Sequence, residues 1–402
     1  MTRSPTTRRH HLASLAGLAT AALGLATAAL GLAAGPAQAE DTVKIGVILP
    51  MTGPSASTGR QIDAAIKLWM AQSGGKAGGK KVEVLIKDDA GVADTTRRLA
   101  QELVVNDKVV ALAGFGLTPL ALATAPIATQ SKTPMVVMAA ATSIITEASP
   151  YIVRTSFTLP QAATAIAEWA AKNKIKKVVT LVADYGPGND AEKFFSSQFQ
   201  LNSGTVVEKL RTPLRGADFA PALQKVRDLA PDALFVFLPS GQGAQFMKQF
   251  AERGLDKAGI KLIATGDVTD DDQLNDMGDV ALGVVNSHHY SAAHPSAANK
   301  KYVADFQAAN KFRPNFMSVG GYDGMRVIFK ALDATKGAGG DALRAAIQGQ
   351  IFESPRGPVL IDAQTRDIVQ DIYIRKVERI NGQLYNVEFD TLKAVKDPGK
   401  LK

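Results

Sequence analysis

The chain has 402 residues, a length that allows two or three domains, and its 46% hydrophobic and 21% charged residues are those of a soluble globular protein with large cores. It contains no cysteine, which excludes disulfides, thiol catalysis and thiolate metal sites. The net charge is +8, but Arg3, Arg8 and Arg9 lie in an N-terminal leader, and without them 43 basic residues face 38 acidic ones. So small a surplus, with no basic block and no basic–aromatic interleaving, argues against nucleic acid as a partner.

Residues 1–39 read as a signal peptide. The basic stretch TTRRHHL precedes an Ala/Leu/Gly-rich span from Leu12 to Ala34, and Ala37-Gln38-Ala39 supplies the small residues a signal peptidase requires. The span is roughly long enough to cross a bilayer but poor in strong hydrophobes, so export with cleavage is expected rather than anchoring. The Arg8-Arg9 pair resembles a twin-arginine signal, although His10-His11 depart from its usual continuation. With no cysteine for a lipid anchor, the mature chain is expected free in the periplasm.

Strand and helix then alternate about every 35 residues. Val43–Leu49 is a strand, Gly59 to Gln72 a helix with Ile62, Ala65, Ile66 and Trp69 on one stripe, Val82–Lys87 a strand and Ala93–Asp107 a helix. The stretch 111–146 follows. Val109–Gly114 and Pro134–Ala141 are apolar runs without alternation, as in parallel strands covered on both faces. Between them Thr118, just before Pro119, reads as an N-cap with a first-turn proline. Pro126 should disturb that helix midway. A helix start above the ends of parallel strands favours an anion, such as a carboxylate or phosphate.

After Pro150–Pro160 the alternation restarts: helix 161–172, strand Lys177–Val182, helix 189–201, strand Val206–Leu210, helix 218–229, strand Ala233–Leu238, helix 241–253 and strand Lys261–Ala264. A strand near Gly283–Asn286 leads to helices around 296–310, 319–335 and 340–348, and Asn381-Gly382 between two strand-like runs signals a hairpin. The fold class is α/β, two doubly wound units around a cleft, with the late helices completing the first unit.

Enzymatic and metal signatures fail. Gly74–Lys81 resembles a phosphate-binding loop, but Lys81 replaces the Ser/Thr that holds Mg²⁺ and the segment follows a helix, so it reads as a connection. No GxGxxG follows the first strand and no GxSxG turn occurs. His288, His289 and His294 lack ligand spacing, which leaves no metal and gives His288, His289 and Tyr290 a cleft or surface role. Asp270-Asp271-Asp272 lacks the glycine and glutamate of a calcium loop and reads as a solvated helix start. No cofactor is implied. Asp267 and Tyr185 each stand just past a strand of the second unit, where a side chain either caps a turn or faces the cleft.

In unbroken order, VKIGVILPMTGP, VLIKDDAG, LAGFGLTPLALATAPIA, PMVVMAAAT, YIVRTS and VADYGPG resemble the leucine/isoleucine/valine-binding family, the type I periplasmic solute-binding proteins of ATP-driven importers. The resemblance covers essentially residues 43–390. It implies two Rossmann-like lobes joined by a three-crossing hinge: 41–158 as lobe 1, 159–290 as lobe 2, 291–370 returning to lobe 1, and 371–402 as a hairpin and tail mainly on lobe 2. It places Thr118 on a position that binds the ligand carboxylate, Ala139 on one that uses backbone groups, and Ala141 on a family threonine that Thr142 next door can replace. Tyr185 falls on a tyrosine that closes over the ligand and Asp267 on an acid that pairs with the α-ammonium. Thr58 and Gly241 replace aromatics, which implies a roomier pocket, and His288–Tyr290 is placed near the third crossing. The expectation is a non-enzymatic, monomeric binder of a small carboxylate-bearing solute. A hydrophobic amino acid or a related amide or aromatic acid would pass by hinge closure to membrane permease subunits. A periplasmic ligand sensor and a secreted α/β hydrolase are the alternatives.

Overall fold

The computed structural model describes residues 41–400 together with Met1, so the leader reading lies outside the described residues. The apolar runs form two sheets. In the first, β1 (Thr42–Leu49) lies between β3 (Lys80–Asp88) and β4 (Ala111–Gly114), followed by β5 (Met135–Val137) and β6 (Ile152–Arg154), all parallel. The predicted connection at 74–81 is partly a strand: β2 (Lys76–Ala77) pairs antiparallel with β3 around Gly78-Gly79. Pro134–Ala141 yields only three strand residues because the chain leaves the sheet after Val137.

The second sheet has a parallel core of β7 (Lys177–Ala183), β8 (Thr205–Thr212), β9 (Ala233–Phe237), β10 (Lys261–Thr265) and β11 (Val285–His288). Antiparallel strands extend it: β14 (Ile368–Ile380) pairs with β11, with β15 (Gln383–Val395) and with β13 (Gly357–Ile361), and β12 (Ile351–Ser354) pairs with β13. Asn381 and Gly382, both at positive φ (50° and 82°), make the turn between β14 and β15. Strands of four and five residues around Pro355-Arg356 carry too little pattern to read from sequence. They also divide residues 291–370, since β12 and β13 belong to the second sheet.

Helices cover both sheets. In the first lobe α1 (Ala56–Ser73), α2 (Ala93–Val105) and α3 (Thr118–Ser131) follow their strands, and α3 runs without a break through Pro126. The second lobe has α4 (Leu159–Lys172), α5 (Gly186–Leu201), α6 (Ala220–Leu229) and α7 (Gly243–Glu252). Of the late helices α8 (Ala297–Asn310), α9 (Phe316–Thr335) and α10 (Gly340–Ile347), α9 packs on α1. There Trp69 meets Tyr322 and Phe329 edge-on, at 5.1 and 5.9 Å between ring centres. The chain therefore passes between lobes after β6, after β11 and again between Ile347 and Ile351.

Two buried arginines hold the passages. Arg356 pairs with Asp323 at 2.7 Å and donates to the carbonyls of Thr155 and Ser156. Arg154 pairs with Asp367, 213 residues away, at 2.7 Å. Phe157 and Leu159, on the first passage, join the apolar interiors of the two lobes into one buried cluster. Among the described residues no helix is long and apolar enough to cross a membrane, and no group of three His, Asp or Glu is placed to hold a metal.

Candidate functional site

One cleft lies between the lobes. Thr58, Thr118, Ala139, Ala141, Tyr185 and Asp267 all line it.

The wall from the first lobe is made of backbone and small side chains. At the end of β4, Gly114 (φ 106°) and Phe115 (φ 66°) turn the chain sharply upward. A Cβ at Gly114 would lie 2.3 Å from the Ile48 carbonyl oxygen, so the position needs glycine. Phe115 is a buried non-glycine residue in the left-handed region, a strain of about 1 kcal/mol or more that the fold sustains beside its cleft. The helix that follows is capped by Leu117, so Thr118 is its first residue rather than its N-cap. With its backbone already helical, the Thr118 hydroxyl is turned to another partner. Its Oγ1 lies 2.7 Å from Oγ1 of Thr142, both buried. Thr142 therefore reaches the site through this hydroxyl pair, while Ala141 lines the cleft directly.

The 139–143 loop is fixed from behind. Arg154 is fully buried and donates to the carbonyls of Ala140 (3.1 Å), Thr142 (2.7 Å) and Ser143 (3.3 Å). With its carbonyls held inward, the loop is left to present amides. The N–H groups of Thr118, Ala139 and Ala141 donate to no other described residue. Unpaired amides beside a cleft suit an anion.

The second lobe brings a second helix start to the same place. A Cβ built on Gly186, the first residue of α5, would lie 2.9 Å from Thr142 Oγ1 and 3.4 Å from Thr118 Cγ2. Only glycine permits so close an approach across the cleft. Two helix N-termini, each with partial positive charge, thus converge on one hydroxyl pair. Tyr185, the residue before Gly186, is half-buried and stacks on Phe237, with 6.1 Å between ring centres and 21° between planes. Burial and, secondarily, the Asp267 carboxylate push the Tyr185 phenol far above its ordinary range, so it stays protonated.

Asp267 follows the end of β10 and is 3% exposed. Its Oδ2 accepts from the Thr265 hydroxyl at 2.9 Å and lies 3.6 Å from His288 Nε2. His288, His289 and Tyr290 are fully buried at the second passage between lobes, which corrects both the expected surface role and the expected third crossing. None of the three lines the cleft. The His288 and His289 rings pack on Phe157, 4.5 and 4.8 Å away, and Phe157 is a cleft wall. Burial lowers His288 to about 4 against a smaller upward pull from Asp267, and holds His289 well below its ordinary value. Both imidazoles are neutral at pH 7.

Asp270–Asp272 is also corrected: Asp270 and Asp271 are buried and Asp272 is half-buried, and the 3-10 helix that follows, Leu274–Ala281, is capped by Gln273. Asp272 pairs with Arg60 (2.7 Å) and takes the Ser57 hydroxyl (2.6 Å), both from α1 of the facing lobe. Asp270 accepts from Asn315 Nδ2 at 2.9 Å and from the Ser240 hydroxyl. Burial, then the neighbouring Asp272 carboxylate, raises Asp270 to about 7. These contacts lace the lobes together on one flank of the cleft. The Thr118–Thr142 pair and the Arg154 and Arg356 braces carried no readable signal, because each joins residues remote in sequence. Only the positive-φ Gly114 turn leaves a local trace.

Residues 42–383 match the periplasmic binding protein family. The chain is 46% identical over 367 residues to a Leu/Ile/Val-binding protein homolog of Brucella abortus, covering 89% of this chain and 94% of that one. It is similar in structure to a solute-binding protein of an ABC transporter from Rhodopseudomonas palustris BisB5 solved with 3,4-dihydroxybenzoic acid. That match has a TM-score of 0.89, 62% identity and coverage of 90% of this chain and 100% of that one. A second R. palustris ABC-transporter solute-binding protein, solved with 4-hydroxybenzoate, gives a TM-score of 0.87, 42% identity and coverage of 90% and 100%.

Proposed function

The chain belongs to the periplasmic binding protein family, and from that premise we propose that it captures an aromatic carboxylate for import and presents it to the permease subunits of an ABC transporter. The observation that carries this reading is the convergence of two helix starts on the Thr118–Thr142 hydroxyl pair, inside a cleft walled by Phe157, Tyr185 and Phe237. Hydroxyls, free amides and two helix dipoles suit a carboxylate. The stacked Tyr185–Phe237 pair and the Phe157 ring suit a flat apolar body. Small residues at Thr58, Ala139 and Ala141 leave width for a ring. The two R. palustris relatives were solved with carboxylates of this class, each bearing a ring hydroxyl.

Binding would proceed by hinge closure, the solute stabilising the closed state through its contacts with both lobes. No chemical step is assigned to any residue, and the protein acts as a binder without turnover. We further assign residues 1–39 to a cleaved export signal and the mature chain to a periplasmic monomer.

The test is a calorimetric and thermal-shift comparison of benzoate and hydroxybenzoates with leucine, isoleucine and valine. Aromatic carboxylates are expected to raise the melting temperature, with a stabilisation of about 2.7 kcal/mol at a hundredfold excess over Kd. Binding of the aliphatic amino acids alone would overturn the reading.

A further inference from the structure

The second lobe carries a polar assembly behind the cleft that a carboxylate cradle does not use. Asp267 faces the cleft with one oxygen already engaged: Oδ2 holds the Thr265 hydroxyl and has His288 Nε2 at 3.6 Å. Oδ1 accepts no hydrogen bond from any described residue. Behind the 265–267 turn lies the fully buried guanidinium of Arg375. Its Nε donates to Asn286 at 2.7 Å and its Nη1 to the Tyr290 carbonyl, whereas its Nη2 has no hydrogen-bond partner. A Cβ at Gly266 would fall 2.0 Å from that Nη2, so the arginine head sits directly beneath the turn that presents Asp267. Both ring nitrogens of His288 are buried without a formed hydrogen bond, and burial keeps the ring uncharged.

These positions decide what Asp267 can recognise. A buried carboxylate with no nearby cation would call for a ligand cation. Asp267 instead shares the guanidinium beneath its turn with Asp271 and Glu388, which offsets part of its charge from within the protein. What the carboxylate lacks is a donor on its cleft-facing oxygen, and a neutral O–H meets that need. A hydrogen bond from O–H to an ionised acceptor is stronger than a neutral pair. With its proton on Nε2, the neutral imidazole points an N–H dipole at Oδ2, 3.6 Å away and short of a formed bond. Its ring is wedged 4.5 Å from Phe157 and 4.2 Å from Phe316, so it cannot turn away. The carboxylate is thereby held with Oδ1 toward the cleft.

We propose that Asp267, positioned by His288, accepts a hydrogen bond from a ring hydroxyl of the solute, so that the site selects hydroxylated aromatic carboxylates over unsubstituted ones. This rests on the aromatic-carboxylate reading above. Asp267 is the residue that touches the solute; His288 is a positioning residue acting through it.

Calorimetry on the mature protein with benzoate, 4-hydroxybenzoate and 3,4-dihydroxybenzoate provides the test. The better hydroxylated acid is expected to bind about ten- to a hundredfold more tightly than benzoate, the range of a hydrogen bond to a charged group. Asp267→Asn should lose most of that ratio, and the melting temperature of the ligand-free variant reports whether its fold is intact. His288→Phe keeps the ring packing but removes the N–H, and should reduce the ratio about three- to tenfold. His288→Gln restores a donor and should recover part of it. A role limited to packing would weaken all three acids alike and leave the ratio unchanged. Equal binding of benzoate and the hydroxylated acids by the unaltered protein overturns this inference and leaves the proposed function standing. Failure of all three acids to bind would sink the proposed function itself.

Discussion

The two walls of the cleft recognise by different means. The first lobe offers backbone amides, two threonine hydroxyls and alanines, and the one charged side chain that shapes it, Arg154, is spent entirely on carbonyls and Asp367 behind the surface. The second lobe offers side chains: a tyrosine stacked on a phenylalanine, and an aspartate backed by a neutral histidine and a buried arginine. Fixed amide dipoles suit a group common to many solutes, the carboxylate, because they are set by the fold. Side chains are the easier part to vary, and they face the portion of the solute that distinguishes one from another.

The largest break expected in this comparison comes from Arg154→Ala. It strands the Asp367 carboxylate with Lys400 as its remaining ion-pair partner and frees three carbonyls of the first wall. Loss of about 3–5 kcal/mol of stability is expected in urea unfolding, with carboxylate affinity falling alongside. The same change in the second wall's polar assembly should be felt through pH instead.

His288 titrates near 4 in the folded protein and near 6.5 unfolded. Between these values the unfolded chain holds more protons, so its contribution to stability is lost as pH falls from about 6.5 to 4. His289 acts in the same sense. Asp270, near 7 folded and 3.8 unfolded, holds more protons when folded, and its contribution is lost as pH rises from about 4 to 7; Asp271, raised chiefly by burial, acts with it. The opposing slopes partly cancel in the unaltered protein across this range. Asp270→Asn removes one of the two aspartate contributions, and stability should then rise more steeply between pH 4 and 6.5 than in the unaltered protein, read from denaturation midpoints at each pH.

Smaller effects separate the walls as binding surfaces. Thr118→Val and Thr142→Val should each weaken an aromatic carboxylate by about tenfold, near 1.4 kcal/mol. Because the two hydroxyls share one hydrogen bond, the double variant should lose much less than the sum. Additive losses by calorimetry would mean that the pair does not act together. Gly186→Ala places a methyl group 2.9 Å from Thr142 Oγ1 and should weaken binding several-fold by propping the lobes apart, with little change in the melting temperature of the ligand-free protein. A loss of stability without loss of affinity would show that Gly186 serves its own helix rather than the closed cleft.

Much of this molecule was readable along the chain. The strands read at 43–49 and 233–238 became buried parallel strands, Gly59–Gln72 became a helix with Ile62, Ala65 and Ile66 buried, and Asn381-Gly382 became a hairpin turn. Of the positions assigned by family resemblance, Thr58, Thr118, Ala139, Ala141, Tyr185 and Asp267 line one cleft, and Thr142 stands behind it against Thr118. What misled were polar residues. His288–Tyr290 and Asp270–Asp272 looked solvated because charged and polar side chains usually are, yet all but the half-buried Asp272 lie inside. Their burial depends on Phe157, Phe316, Asn315 and Arg60, all supplied by distant parts of the chain.

The sequence by itself determined the alternation of strands and helices, the sharp Gly114 turn and the place where helix starts would gather, since these follow from side-chain periodicity and backbone sterics within a few residues. Only the tertiary structure decided that Thr142 would complete the Thr118 site, that Arg154 would reach Asp367, and that Asp267 would stand over Arg375 and beside His288. Those pairs stand 24, 213, 108 and 21 positions of chain apart respectively. They form only when the sheets and the passages between the lobes bring the segments together, because a hydrogen bond or a buried charge depends on distance in space and leaves no period in the sequence.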